Sequence, residues 1–183
     1  MSRNTRGAAR AALTALSCAS LLLGGYAHAG DANDDDFVLK NTTVAQRLGG
    51  ADGIAAFISA KVVPALVASD LAPFFTGGVT RLTESTSQTV QCLARLLDHD
   101  LGGSSPKNGA IVSDPEAPPA FPALHQCRSS MSNVHRGMNI SDAQFDEFVG
   151  IVARQALDAH VAAADVAAVG KVLNRYRGSI TEK

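Results

Sequence analysis

Few residues of this chain could do chemistry, and one histidine stands apart from the rest. In the stretch SSMSNVHRGMNISDAQFDEFV, from Ser129 to Val149, His135 lies just ahead of Gly137 and of a fresh helix start at Ser141. Apolar residues surround it in sequence: Met131, Met138, Ile140, Phe145 and Val149. An imidazole facing such a wall is suited to coordinate a planar metal macrocycle while the wall packs against the apolar faces. The plain alternative is a capped or solvated histidine, the default for a lone residue of this type. Competing chemistry finds no support in the sequence. There is no nucleophile elbow, no P-loop and no zinc-ligand spacing. No dedicated catalytic machinery is visible, so the residues do not by themselves make the chain an enzyme.

Composition narrows the classes further. Arg3, Arg6 and Arg10 make a basic start, an apolar run AALTALSCASLLLGG comes next, and AHA at 27–29 fits a small-x-small cleavage rule. This is the three-part pattern of a secretory signal peptide over residues 1–29. The expected location is outside the cytoplasm, in a bacterial periplasm. Cys18 sits inside the apolar run, where it is a poor lipid-attachment site. Cleavage leaves about 150 residues, enough for one domain with a real core. A net charge of −1 that loses its three N-terminal arginines becomes −4. Residues 30–44, with the cluster DANDDD, read as an acidic flexible lead-in. No basic patch interleaved with aromatics occurs, which excludes nucleic acid as the expected partner. No second apolar run of membrane length is expected once the signal is gone. Two cysteines remain, Cys92 and Cys127. An even count in an oxidising compartment favours a disulfide over two separate buried thiols. Such a bridge would stabilise by about 3–4 kcal/mol through chain entropy.

The elements that must position His135 read as nearly all helix. In GGADGIAAFISAKVVPALVAS, Asp52 is the expected N-cap, and Ile54, Ile58, Val62, Ala65 and Leu66 share one face. Pro64 should kink or shorten that helix. LAPFFTGG is a corner. A second helix is expected from about Arg81 to Leu97, with Leu82, Thr86, Thr89, Val90, Leu93, Leu96 and Leu97 as its stripe. DHDLGGSSPKNGAIVSDPEAPPAFP then reads as a long excursion loop. A short helix carrying His125, Cys127, Met131 and His135 comes after it, ended by Gly137. Ser141 with Gln144 matches a capping box and opens a helix to about Ala159. After a turn near His160, Val166, Val169, Leu173, Tyr176 and Ile180 mark the last helix. Nothing alternates with period two for long enough to predict a strand.

Four blocks in this order resemble the truncated globins, group 1, over residues 45–183. RLGGADGIAAF is similar to that family's opening glycine motif, and SDLAPFF to its corner of paired phenylalanines. MSNVHRGMNI resembles the segment that bears the haem-ligating histidine, and ISDAQFDEFVGIVARQAL the penultimate helix. The resemblance implies an all-α fold, a two-over-two helical sandwich, into which this sequence inserts a long loop before the histidine helix. It implies His135 as the proximal ligand of haem iron, the haem being b-type and non-covalent. It implies a lining of Phe57, Ile58, Val62, Phe74, Phe75, Leu82, Thr86, Thr89, Met131, Met138, Ile140, Phe145 and Val149. Arg81 and Arg136 would then contact the propionates, and Cys92–Cys127 would brace the two walls of the pocket.

The sequence departs from the family pattern in the long loop before the histidine helix, which family members usually cross in fewer residues, and at position 62. Ungapped counting puts Val62 where the family often has a tyrosine that donates to bound oxygen. Gln88, Thr86 and Thr89 are the alternative donors. His99, His125 and Lys61 are candidate sixth ligands, with ordinary solvent-facing polar residues the plainer account, and His160 reads as structural. The function implied is an exported haem protein that binds a diatomic gas (O2, NO or CO), with an outside electron donor for any turnover such as NO oxidation or peroxide handling. The alternatives are a globin-fold module without haem, serving in binding or structure, and a six-coordinate haem protein for electron transfer or haem carriage.

Overall fold

The structure, a computed structural model, describes residues 41–79, 84–114 and 123–181. The expected signal peptide, most of the acidic lead-in, Arg81 and Leu82 lie outside the described residues. The first complete helix among the described residues is α1 (Val44–Arg47), closed at its start by a capping box between Thr43 and Gln46. A glycine turn leads into α2 (Gly50–Phe57). Gly49, not Asp52, occupies the N-cap, with φ of 81°; Asp52 sits in the first turn, where its charge complements the helix dipole. Gly53 is needed for a different reason. A Cβ there would lie 2.4 Å from the Leu48 carbonyl oxygen.

Pro64 acts on the helix before it. A proline has no N–H to donate and its ring crowds the carbonyl four residues back. The chain answers with a π-helical stretch, Ile58–Val62, in which Val63 N–H donates to the Ile58 carbonyl, before α3 (Val63–Val67) resumes. The Gly50–Val67 run is apolar and long enough to cross a membrane by length and composition alone, at mean hydropathy 1.5 over 18 residues. Sequence inspection overlooks this. Here Ile54, Ile58, Val62 and Leu66 form a buried stripe in the core.

The corner is α4 (Ala72–Phe75). Next comes α5 (Thr86–Asp100), which starts later and ends later than the sequence suggests. The reason is a second capping box: Ser85 caps, and Gln88 reaches back to the Ser85 N–H. The inserted segment holds a small antiparallel ribbon, β1 (Ile111–Ser113) with β2 (Leu124–Gln126), where an irregular loop is expected from sequence. Three residues per strand are too few for a period-two signal. The ribbon is tied to α5 through Gln91, whose Nε2 donates to the Ser113 carbonyl at 2.7 Å.

The histidine helix shrinks to α6 (Met131–Val134), capped by Ser130, with His135 at its C-cap. His125 belongs to β2 instead. Gly137 ends the turn with φ of 81°, as expected. Beyond it lie α7 (Asp142–Asp158), opened by the Ser141–Gln144 capping box, α8 (Ala163–Arg175) and α9 (Arg177–Ile180). The α2–α3 run packs on α5, and α7 packs on α8, giving two helix pairs. Their facing stripes share one core that includes Ile54, Ile58, Val62, Leu97, Ile151, Val172 and Leu173. Arg47 clamps α1 to α8 by a forked pair of hydrogen bonds to the buried Asp165 carboxylate.

A candidate haem cavity around His135

Beside this core lies a cavity of ≈ 340 Å³, within the range of small-molecule and cofactor sites. Its floor is apolar: Leu71, Phe74 and Phe75 from the corner, Leu93, Leu96 and Leu97 from α5, and Phe145 and Phe148 from α7. Phe75 and Phe148 stack with centroids 6.5 Å apart. Ile140, Leu173, Tyr176 and Ile180 close the end near the C-terminus.

His135 stands in this wall. Its Nδ1 lies 2.9 Å from the Met131 carbonyl oxygen, four residues back. A carbonyl can only accept, so Nδ1 carries the proton and the neutral ring keeps its lone pair on Nε2. Burial pushes the His135 pKa below its usual 6.5, and the Met131 carbonyl opposes this only in part. The balance leaves a neutral imidazole with one free donor atom, the form that ligates metals. Tyr176 is also shifted: burial, and then its 2.6 Å hydrogen bond to Asp100, push its pKa up to about 12. Its hydroxyl is therefore committed as a donor to that carboxylate.

The residues expected from sequence divide into two groups. His135, Phe74, Phe75, Thr89, Met131, Ile140, Phe145, Cys92 and Cys127 come together around the cavity. Phe57, Ile58, Val62 and Val149 stand in the core behind it or pack against that core. Val62 continues the buried Ile54–Ile58 stripe through the π-helical stretch and faces the core. At 1% exposed, it is a core residue. Thr86 is exposed on the first turn of α5, and Met138 is outside the cavity wall. Gln88 spends its carboxamide elsewhere, accepting from Ser85 N–H and donating to the Ala123 carbonyl at 3.1 Å. Thr89 is the one of the three proposed donors whose side chain borders the cavity, at an exposed edge. Arg136 points to Asn133 outside it.

The candidate sixth ligands also separate. Lys61 is exposed, and His99 Nδ1 is engaged with the Ser105 carbonyl at 3.0 Å. His125 borders the cavity, with its Nε2 3.7 Å from Glu84, which is itself paired with Arg128 at 2.6 Å. The disulfide Cys92–Cys127 is formed, with Cα atoms 5.4 Å apart, and it lies in the cavity wall. It joins α5 to the chain leading into α6. Sequence reasoning misses Leu93 and Leu96 as cavity residues, along with Phe148, Leu173, Tyr176 and Arg95. The helical stripe could have found the leucines. Nothing in the sequence points to Arg95.

No family model and no curated protein matches this sequence. Among solved structures, the truncated hemoglobin of Tetrahymena pyriformis in its Fe(III) form matches with a TM-score of 0.58 at 19% identity, over 78% of this chain and 100% of that one. Two single-residue variants of that protein match equally. The chain thus has the truncated globin fold, with the β1–β2 ribbon between α5 and the turn that carries His135.

Proposed function

We propose that this chain is a haem-binding globin that holds haem non-covalently in the cavity, with His135 Nε2 as the proximal ligand. The observation that carries this reading is the geometry of His135. Its Nδ1 proton is held by the Met131 carbonyl, and its other nitrogen is free beside an apolar cavity. The residues fit such a group. Phe74, Phe75, Leu93, Leu96, Phe145 and Phe148 supply apolar faces, and a buried guanidinium nitrogen of Arg95 lacks an acceptor. When bound, haem would supply an iron centre able to take up O2, NO or CO and to exchange electrons.

The chain's own part would be to exclude water, fix the imidazole and set the polarity facing the gas. Leu93 and Leu96 present no hydrogen-bond donor, and Val62 is remote in the core, so Thr89 is the nearest candidate to polarise a bound gas. Export to an oxidising compartment completes the proposal, supported by the basic-apolar start of the sequence and by the Cys92–Cys127 bond. An external electron donor would serve any turnover.

The test is an absorbance titration of the purified chain with haem, with and without CO. The expected result is a stoichiometric Soret band that shifts with CO and is lost or severely weakened in His135→Ala. No Soret band would overturn the reading in favour of a haem-free module. A low-spin six-coordinate ferrous spectrum that resists CO would instead favour the electron-transfer alternative. His125, on the same cavity wall, is the ligand to test in that case.

A further inference from the structure

Among the described residues, the buried side-chain polar atom left without a hydrogen-bond partner is Nε of Arg95. Native proteins satisfy such groups, and an exception calls for a missing partner. Its position on α5 says where that partner would sit. Gln88, Cys92, Arg95 and His99 succeed one another at helical spacing of three or four, on one stripe. The other three all reach the inserted segment: Gln88 to the Ala123 carbonyl, Cys92 to Cys127, and His99 to the Ser105 carbonyl. Arg95 lies between them, under the insertion, and it borders the same cavity as Lys107 and Asn108.

The charge on this wall is lopsided. Glu84 is its one carboxylate among the described residues, and it is already taken by Arg128. Asp98, one turn of chain away, is buried and accepts from the Ser105 N–H at 2.8 Å. Arg95 and Lys107 therefore face an apolar cavity with no acid of the described chain to answer them.

We propose that Arg95, with Lys107 at the rim, forms a carboxylate-binding subsite built by the inserted segment. Guanidinium offers a planar fork that matches a carboxylate, and partial burial strengthens the pairing. The carboxylate has two possible sources: a side chain of the macrocycle itself, which rests on the haem reading above, or a small free carboxylate. The subsite adds an anchor that holds the cavity's ligand in one orientation, a job the apolar faces cannot do.

The experiment uses the purified chain and its Arg95→Gln and Arg95→Lys variants. In one arm each is titrated with haem and with haem dimethyl ester, whose carboxylates are masked. If the macrocycle is the source, the native chain binds the free acid about ten- to hundred-fold more tightly than the ester. Arg95→Gln erases that preference, and Arg95→Lys restores part of it. In the other arm, haem-free chain is melted with and without added acetate or succinate. If a free carboxylate is the source, it raises the native Tm and leaves that of Arg95→Gln unmoved. The proposal is overturned if Arg95→Gln matches the native chain in both arms, or if the native chain responds in neither. Failure of every sample to take up haem would sink the haem reading, and the melting arm would still decide the subsite.

Discussion

His135 lines the cavity with Nδ1 bonded to the Met131 carbonyl, and burial lowers its pKa. The folded chain therefore binds fewer protons at this site than the unfolded chain does between its lowered pKa and the ordinary 6.5. Stability must rise with pH across that window. The contribution is fully present above 6.5 and is lost as pH falls through the folded value. Melts of the haem-free chain should show this acid-side loss, and His135→Gln should flatten it. Val62 gives a second test. If the valine were a gap in a ligand pocket, a tyrosine would fit there. Because it is 1% exposed in the core, Val62→Tyr should overpack and cost about 1–3 kcal/mol in urea denaturation. An unchanged midpoint would place position 62 at the cavity after all. His135, Met131 and Phe145 are legible in the sequence because the histidine and part of the cavity wall lie close together in one stretch. Arg95 and Tyr176 are not, since their roles depend on which helix faces meet.

Elements here are fixed mostly by their ends. Three capping boxes, Thr43–Gln46, Ser85–Gln88 and Ser141–Gln144, set where α1, α5 and α7 begin. Only the third stands out in the sequence, because its apolar run begins at once. The second shifts the start of α5 by about one turn, which also moves Gln88 from candidate donor to cap. The other end of α7 has a different device. Val161 N–H donates to the Ala156 carbonyl and His160 N–H to that of Leu157, a Schellman closure. His160 takes the left-handed position, with φ of 60°, where glycine is the usual occupant. His160→Gly should raise stability by about 1 kcal/mol, seen as a higher Tm. A lower Tm would mean that the imidazole holds a contact worth more than the strain. The π-helical stretch before Pro64 is half legible: proline forecasts a disturbance and periodicity gives the buried face, but neither specifies a π turn.

The whole molecule is two helix pairs joined by long-range ties. Arg47–Asp165 links α1 to the α7–α8 pair, and Tyr176–Asp100 joins α5 to the turn after α8. Cys92–Cys127 is the covalent tie. Reduction, or Cys92→Ser, should cost about 3–4 kcal/mol of unfolding free energy, measured by denaturant titration with and without a dithiol. An unchanged midpoint would mean that the unfolded chain gains nothing from release. The architecture is legible from four short blocks in order. The ribbon is not, since its strands are short and their pairing partners lie on either side of a proline-rich stretch.

Because that sulfur bridge is set into the cavity wall itself, α5 and the segment ahead of α6 cannot part at that point to admit a guest. A guest that comes or goes must do so without any separation of those two segments. Arrival and departure would both be slow, and occupancy would outlast any brief shortage of supply. Cutting the bridge should quicken both passages, even where the final balance between full and empty hardly moves.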